Sequence, residues 1–444
     1  MELIKSISGI RGIVNQTLNM TIVNTYSNIF TSMQPPGDIL LARDSRPHGK
    51  KLYNSIADTL TSMGRNVIDC GIIPTPTAQF IIKEKKLSGG IVVTASHNPI
   101  EWNGLKFLDN DGCFLTSDKM KTLLSETPRS IHSNKGLIIK SRDAYLEHIS
   151  NVLELKCINK NKIKSKKLKV VVDTVNGAAY KVLPELLKKL HCNVIKIHCK
   201  NTGDFPRGTE PIPSHLKDLS KTVINENADI GLATDPDADR LAIVDNTGTP
   251  IGEESTLILA LEAYLKFYKD SQVIVTNLST SMGVDFIAKK YNSSVKRSSV
   301  GEINVVELMK KNNSEIGGEG NGGVILKESH LGRDSLVASA LVLNYLSESN
   351  LKLDKIIKNI PSFIIIKDKI KIQKNIDFNS IKNKFNSEKE ITFIEGDGLK
   401  ILWKNKWVHI RESNTEPIIR IISEATNINT AKELITLVKN EINS

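Results

Sequence analysis

The sequence has little cysteine and no long apolar run. Its 444 residues include five cysteines, an odd number without a Cys-x-x-Cys pair, which argues against a disulfide framework or a structural zinc site. No stretch approaches the ~18 apolar residues of a membrane-spanning helix, and residues 1–5 lack the apolar core of a signal peptide. We therefore expect a cytoplasmic protein with no membrane partner.

The net charge is positive without a concentrated basic segment. Lysine and arginine number 60 against 49 acidic residues, which gives +11, and such a balance raises the question of nucleic-acid binding. The lysines are spread along a chain that is also rich in isoleucine and asparagine. This reads as a general compositional bias, so we expect no nucleic-acid partner, and part of the charge suits small anionic substrates.

The length predicts several domains. Predicted strands at 38–42, 66–69 and 89–94 alternate with helices at 50–63 and 77–86, which favours a parallel sheet with helical crossovers. The pattern recurs twice, and from about residue 367 it changes to strand, helix, three strands and helix, an α+β order. The recurring elements are strands at 168–173, 194–198, 229–233, 272–276 and 294–297, and helices at 179–190, 213–226, 253–266, 283–290 and 302–310.

An acidic loop between two apolar runs predicts a metal site. Asp235, Asp237 and Asp239 alternate along the chain, and in extended backbone alternate side chains share a face. Three neighbouring carboxylates repel one another unless a cation lies between them, and oxygen ligands suit Mg²⁺ or Ca²⁺ rather than zinc. The alternative is a solvated acidic turn. Arg240 adds a positive group that can reach the same phosphoryl oxygens.

A serine follows the apolar strand predicted at 89–94. The loop Thr-Ala-Ser-His-Asn-Pro contains Ser96, and beside a metal loop this hydroxyl suits a carrier of a phosphoryl group. His97 is adjacent in sequence and is expected to point elsewhere, so no Ser–His triad is implied. Lys106, further along, is a candidate cation or proton-transfer group.

Residues 318–323 satisfy Gly-x-Gly-x-x-Gly, which alone is a weak sign of dinucleotide binding. The segment after it reads as a strand, whereas a dinucleotide site needs a helix there. We interpret the loop as a support from which Glu319 reaches sugar hydroxyls, with a plain hairpin turn as the alternative.

A hydroxyl-rich loop in the last domain suits a phosphate group. Arg411, Ser413, Asn414 and Thr415 stand between apolar runs and offer a guanidinium, two hydroxyls and consecutive backbone N–H groups. Arg420 follows closely and adds a second guanidinium. The alternative is a surface turn with a chance arginine.

These four loops, in this order and spacing, resemble the α-D-phosphohexomutase family. The resemblance covers the whole chain and implies three related α/β domains with mixed sheets plus a smaller C-terminal α+β domain around a central cleft. It implies boundaries at 1–155 for the serine domain, 156–252 for the metal domain, 253–366 for the sugar domain and 367–444 for the phosphate domain.

The resemblance also implies roles for individual residues. Ser96 would be the phosphoserine and a ligand of one Mg²⁺ together with Asp235, Asp237 and Asp239. The N-terminal Ser-Gly-Ile-Arg-Gly motif would bring Arg11 to the reacting phosphate. The remaining assignments are catalytic for Lys106 and Arg240, and substrate-binding for Glu302, Glu319, Asn321, Arg411, Ser413, Asn414, Thr415 and Arg420.

The predicted activity is a phosphohexomutase that interconverts hexose 6-phosphate and hexose 1-phosphate through a hexose 1,6-bisphosphate. Glucosamine phosphate is the favoured substrate, because this chain has Asn321 and Gly323 where many members have serine and histidine, a variation that resembles some glucosamine-specific branches. Mannose and glucose phosphates are the alternatives, and a metal-dependent phosphatase or a non-catalytic sugar-phosphate binder are alternatives of another class. We expect a monomer or homodimer.

Overall fold

The computed structural model describes residues 2–130, 134–361, 363–371, 376–386, 390–412 and 418–443. Within these ranges the strands form four sheets that follow one another along the chain. The first three are mixed and accompanied by helices, and the fourth is antiparallel. The expected three α/β units and C-terminal α+β unit are confirmed.

The first sheet has the strand order β1-β2-β6-β5-β3-β4-β7. Its elements are β1 (Ile4–Ser6), β2 (Gly9–Ile13), α1 (Met20–Met33), β3 (Ile39–Arg43), α2 (Gly49–Ser62), β4 (Val67–Ile72), α3 (Thr75–Lys85), β5 (Gly89–Val93), β6 (Trp102–Leu108), α4 (Ser117–Ser125), β7 (Ile138–Lys140) and α5 (Tyr145–Glu154). The expected mixed sheet is confirmed here, because β3 pairs in parallel with β5 whereas β6 returns antiparallel to β5. The link between them is too short for a helical crossover.

The second sheet has the order β11-β10-β8-β9 and the third has β13-β12-β14-β15-β16. The helix predicted at 213–226 is instead a 3₁₀ turn, Pro213–His215, followed by a shorter α-helix. The elements of the second are α6 (Lys160–Lys166), β8 (Lys169–Asp173), α7 (Val182–Lys189), β9 (Asn193–Ile197), α8 (Lys217–Asn225), β10 (Ile230–Thr234) and β11 (Leu241–Val244). Those of the third are α9 (Glu253–Tyr268), β12 (Val273–Asn277), α10 (Gly283–Lys290), β13 (Ser294–Ser298), α11 (Glu302–Lys311), β14 (Ile316–Glu319), β15 (Gly323–Leu326), β16 (His330–Arg333), α12 (Ser335–Glu348) and α13 (Leu353–Lys358).

The fourth sheet has the order β17-β21-β20-β19-β18. Its first strand begins at Ile364, so the boundary expected at 366 falls inside a strand. The elements are β17 (Ile364–Lys371), α14 (Phe378–Phe385), β18 (Thr392–Glu395), β19 (Leu399–Leu402), β20 (Lys406–Glu412), β21 (Ile418–Ala425) and α15 (Ile428–Asn443).

One apolar cluster runs through the second and third units. It contains buried side chains from both, among them Val170, Leu186, Leu261 and Leu341, because α9 packs against α12 and α12 packs against α6. This shared core fixes the metal loop relative to the sugar loop. All five cysteines are free thiols. In the described ranges, none of the helices combines the length and apolar character needed to cross a bilayer.

Candidate active site

The serine loop holds Ser96 in a strained backbone conformation. Ser96 lies shortly after the end of β5. Its φ of 50° is a left-handed value that is uncommon for a residue with a side chain. Its backbone N–H donates to Thr94 Oγ1 at 2.9 Å, and its carbonyl accepts from Arg46 Nη2 at 2.8 Å. Asp44 supports both partners, accepting from Thr94 at 2.7 Å and from Arg46 at 3.0 Å. Sequence reasoning missed this support.

The expectation that His97 points away from Ser96 is wrong. His97 Nδ1 lies 3.3 Å from Ser96 Oγ and 3.1 Å from Arg240 Nη2. The left-handed turn at Ser96 reverses the chain, so adjacent side chains converge where extended backbone would separate them. Burial and the positive charges of Arg240 and Arg11 lower the pKa of His97 well below its usual value. Because a guanidinium can only donate, His97 Nδ1 is the acceptor in its contact with Arg240.

The three aspartates converge beside this serine. They occupy the loop between β10 and β11, and their carboxylate oxygens lie within 4.8 Å of one another. Ser96 Oγ donates to Asp235 Oδ2 at 3.3 Å. The sequence predicted that extended backbone would bring the carboxylates together, but residues 236–239 form a turn in which Ala238 has a φ of 59°. The turn itself gathers the carboxylates.

Basic side chains from two other units neutralise part of this charge. Lys106 Nζ donates to Asp237 Oδ2 at 2.6 Å and to Asp239 Oδ2 at 3.2 Å, and Arg333 Nη2 donates to Asp239 Oδ2 at 2.7 Å. Burial tends to raise the pKa of Asp239, but Arg333 and Lys106 outweigh it and hold that pKa well below its usual value. Burial followed by repulsion from Asp239 and Asp237 raises the pKa of Asp235 well above its usual value.

The residues present fit a divalent cation. Asp237 Oδ1 and Asp239 Oδ1 are buried and accept no hydrogen bond from the described residues, although Arg240 Nε lies 3.8 Å from the latter. A buried carboxylate oxygen without a donor is costly unless something outside the chain satisfies it. The donors are all oxygens, which suits Mg²⁺ better than zinc.

A second group of ligand-type side chains lies elsewhere. His148, His330 and Asp334 are buried where α5, β16 and α12 meet. Asp334 Oδ2 lies 2.9 Å from His148 Nε2 and 3.2 Å from His330 Nε2. Asp334 Oδ1 caps α12 by accepting from the N–H groups of Leu336 and Val337. Both oxygens of this carboxylate thus have partners within the chain.

The glycine loop closes the hairpin between β14 and β15, so the segment after it is a strand and the dinucleotide interpretation fails. Glu319 ends β14 with both carboxylate oxygens engaged. Oε1 accepts from Asn277 Nδ2 at 2.7 Å and from Gly301 N at 3.1 Å, and Oε2 accepts from Arg333 Nη1 at 2.9 Å. Asn321 Nδ2 lies 3.4 Å from the same Oε2. Glu319 is therefore oriented mainly by partners from outside the glycine loop.

Glu302 lies at the start of α11, close to this loop. Its Oε2 accepts from Arg333 Nε at 2.9 Å, and Gln79 of the first unit lies 3.4 Å from Oε1. Sequence reasoning missed Arg333, which joins the metal and sugar loops. The available signal was an Arg-Asp pair at the end of β16, a charged pair at a strand end like those in the other loops.

Three more of the predicted site residues are arginines. Arg11 Nη1 donates to Asn98 Oδ1 at 3.1 Å in the serine loop, and burial is the main reason that its pKa is lowered. Arg411 and Arg420 lie directly opposite each other on β20 and β21. Like charges at opposed positions repel, so this pair favours a bound anion. The other expected phosphate ligands, Ser413, Asn414 and Thr415, lie outside the described residues.

Comparisons with known proteins identify relatives that share the family and the fold. Family models described as phosphoglucomutase/phosphomannomutase α/β/α domains I, II and III match residues 3–132, 143–248 and 252–363. A phosphoglucomutase/phosphomannomutase of Thermococcus kodakarensis is 34% identical, over 97% of this chain and 96% of the relative. A phosphoglucosamine/phosphogalactosamine mutase of Sulfurisphaera tokodaii is 32% identical, over 97% of each. A solved structure of a family protein from Burkholderia thailandensis has a TM-score of 0.84 at 23% identity, covering 98% of this chain and 95% of that one.

Proposed function

The chain belongs to the phosphoglucomutase/phosphomannomutase family of phosphohexomutases, and from that premise we propose that it converts glucosamine 6-phosphate to glucosamine 1-phosphate through Ser96. The observation that carries the proposal is the 3.3 Å approach of Ser96 Oγ to a loop of three aspartates that lies 139 residues away in sequence. A hydroxyl, a candidate cation site and several basic groups meet there, as phosphoryl transfer requires.

In the proposed cycle phospho-Ser96 gives its phosphoryl group to the free hydroxyl of the hexose phosphate. A new oxygen–phosphorus bond forms on the sugar, the Ser96 Oγ–phosphorus bond breaks, and the proton of the sugar hydroxyl ends on Ser96 Oγ. The resulting hexose 1,6-bisphosphate turns around and returns its other phosphate to Ser96. Arg11, Lys106 and Arg240 offset the charge of the moving group.

Asp235, Asp237, Asp239 and Ser96 would hold one Mg²⁺, which when bound supplies Lewis-acid polarisation of a phosphoryl oxygen. Lys106 and Arg333 hold the Oδ2 atoms of Asp237 and Asp239, which leaves the Oδ1 atoms as the oxygens that would be available to ligate Mg²⁺. Burial lowers the pKa of Lys106, but Asp237 and Asp239 outweigh it and raise the pKa, so Lys106 enters the cycle as a cation.

Glu319, Glu302 and Asn321 would read the sugar hydroxyls. Arg411, Arg420 and the loop at 413–415 would hold the phosphate that does not react, in either orientation of the bisphosphate. The choice of glucosamine is supported by the name of the Sulfurisphaera relative, and mannose or glucose phosphate is the alternative that the Thermococcus relative's name suggests. The proposal places the enzyme in a reducing cytoplasm, where its free thiols persist, as a monomer or homodimer.

The test is isomerisation of glucosamine-, glucose- and mannose-6-phosphate side by side, with Mg²⁺ and a hexose 1,6-bisphosphate activator. Released phosphate is measured in parallel, since a phosphatase would release phosphate without isomerisation. Ser96→Ala should abolish turnover with the fold intact. Ser88→Ala is the matched control, because that hydroxyl donates only to the Asp38 carbonyl, 2.8 Å away. Near-normal isomerisation by Ser96→Ala would refute the proposal.

A further inference from the structure

Arg333 contacts three acidic loops at once. Its Nη2 donates to Asp239 of the metal loop at 2.7 Å, its Nη1 to Glu319 of the sugar loop at 2.9 Å, and its Nε to Glu302 at the start of α11 at 2.9 Å. Arg333 is only 8% exposed. Each nitrogen of the rigid, planar guanidinium thus bonds to a carboxylate from a different element.

Gly323 leaves the room that Arg333 occupies. A Cβ atom at position 323 would lie 2.2 Å from Arg333 Cδ and 2.8 Å from its Cγ. The space beside the sugar loop therefore admits either a side chain at 323 or the Arg333 stem, but not both. This gives a way to displace Arg333 without changing its charge.

We propose that Arg333 is a positioning residue that couples occupation of the aspartate loop by a divalent cation to recognition of sugar hydroxyls by Glu319 and Glu302. The inference rests on the proposed function, because it gives these two carboxylates and the aspartates the roles argued above. It adds that the cation site and the sugar site change each other's affinity through one guanidinium.

The coupling follows because one guanidinium is shared among three carboxylates. With no cation, Asp239 keeps a full negative charge and attracts Arg333 in competition with Glu319 and Glu302. A divalent cation beside Asp239 repels Arg333 and weakens that attraction, so Arg333 bonds more strongly to the other two carboxylates and fixes them for the sugar. Linkage makes the effect reciprocal, and the sugar must tighten cation binding by the same factor.

Mn²⁺ is the probe, and its dissociation constant is measured by electron paramagnetic resonance without turnover. Each protein is titrated alone, with inorganic phosphate and with glucosamine 6-phosphate. Inorganic phosphate measures the direct attraction between anion and cation. The additional tightening produced by the sugar phosphate measures coupling through the hydroxyl-reading carboxylates, and we expect about tenfold in the wild type, within the usual range of such couplings.

Three variants and a control separate coupling from stability. Arg333→Met should reduce the additional tightening to less than about twofold and leave the effect of inorganic phosphate in place. Arg333→Lys keeps the positive charge, but one ammonium group cannot bond to all three carboxylates in the same way. This variant should therefore retain only part of the additional tightening. Gly323→Ala should reduce the additional tightening, because the new methyl group displaces Arg333. The control is Arg65→Met, which removes an arginine bonded only to carbonyls of the first unit.

A folded Arg333→Met protein with the full additional tightening would overturn the inference, as would a wild type that shows none. Folding is checked by circular dichroism, and if the Met variant fails to fold, Arg333→Lys and Gly323→Ala decide the matter by the same criterion. Isomerisation by the wild type is assayed separately. Its absence would count against the proposed function, while the Mn²⁺ titrations still test the role of Arg333.

Discussion

Two buried clusters of ligand-type side chains differ in how far the chain satisfies them. In the aspartate loop, Asp237 Oδ1 and Asp239 Oδ1 accept no hydrogen bond from the described residues. In the His148–His330–Asp334 cluster, Asp334 uses one oxygen for the two histidines and the other to cap α12. The aspartate loop thus leaves two carboxylate oxygens without a donor, whereas both oxygens of Asp334 have partners, although His148 Nε2 and His330 Nδ1 are also without a well-formed hydrogen bond among the described residues. Proximity of ligand atoms alone does not separate them.

The largest expected effect is loss of activity on neutralising the aspartate loop. Asp235→Asn should lower kcat for isomerisation by about 10³-fold, because it removes a charge that would hold the cation at the reacting phosphate. Without metal the variant should be at least as stable as the wild type, since repulsion from Asp239 and Asp237 disfavours the charge of Asp235. Steady-state kinetics and thermal unfolding in a chelator check both. Wild-type kcat in this variant would contradict the comparison.

Removing the carboxylate of Asp334 should destabilise the fold, whereas neutralising Asp235 should not. Asp334→Ala should lower the free energy of unfolding by about 3 kcal/mol, because it removes a helix cap and leaves two buried histidines without their acceptor. Thr116→Ala is the matched control: it removes only the cap of α4, where Thr116 accepts from Lys119 N, and should cost about 1 kcal/mol. Urea denaturation measures both. Equal losses would show that the histidines contribute nothing.

Added Mg²⁺ should distinguish the clusters directly. At a hundred times its dissociation constant, a ligand of the native state stabilises it by about 2.7 kcal/mol. We expect this stabilisation in the wild type and in Asp334→Ala, and its loss in Asp235→Asn. Thermal unfolding with and without EDTA provides the measurement. Stabilisation that vanishes in Asp334→Ala instead would move the cation to the histidine cluster.

The smallest effect is a pH dependence from His330. Burial lowers the pKa of His330 below its usual 6.5, although Asp334 opposes the shift; His148 and Lys83 are the other charged or titratable groups that face it. The unfolded chain therefore binds the proton first, so stability is full above pH 6.5 and falls as pH decreases below that value, by at most about 1.4 kcal/mol per pH unit. His330→Gln should flatten this slope between pH 6.5 and 5. An unchanged slope would contradict the assignment.

Much of the fold could be predicted because the α/β units carry strong local patterns. The buried strands at 89–94 and 229–233 and the helix at 283–290 agree with β5, β10 and α10. The elements that were not predicted, such as α1, α12 and β6, take their place from tertiary packing. In α12 nearly every residue is buried, so it has no polar face from which a helical period could be read.

The candidate site divides in the same way. Ser96 and the three aspartates lie in short loops with distinctive chemistry, so they could be predicted as site residues from the sequence alone. Arg333 and Thr75 act across the interface between units, and their partners lie far away in sequence: Arg333 bonds Asp239, and Thr75 Oγ1 donates to Asp237 at 2.7 Å. Arg46 supports Ser96 from within the same unit, 50 residues earlier in the sequence. Single residues of this kind carry no local pattern, and only the assembled fold reveals them.

The central claim is that Ser96 and the three aspartates share one divalent cation. The most direct measurement is anomalous X-ray scattering from crystals of the protein grown with Mn²⁺. We expect one strong peak within coordination distance of Asp235, Asp237 and Asp239, with Ser96 Oγ, or a phosphate oxygen on it, as a further ligand. A peak at His148, His330 and Asp334 with none at the aspartates would contradict it.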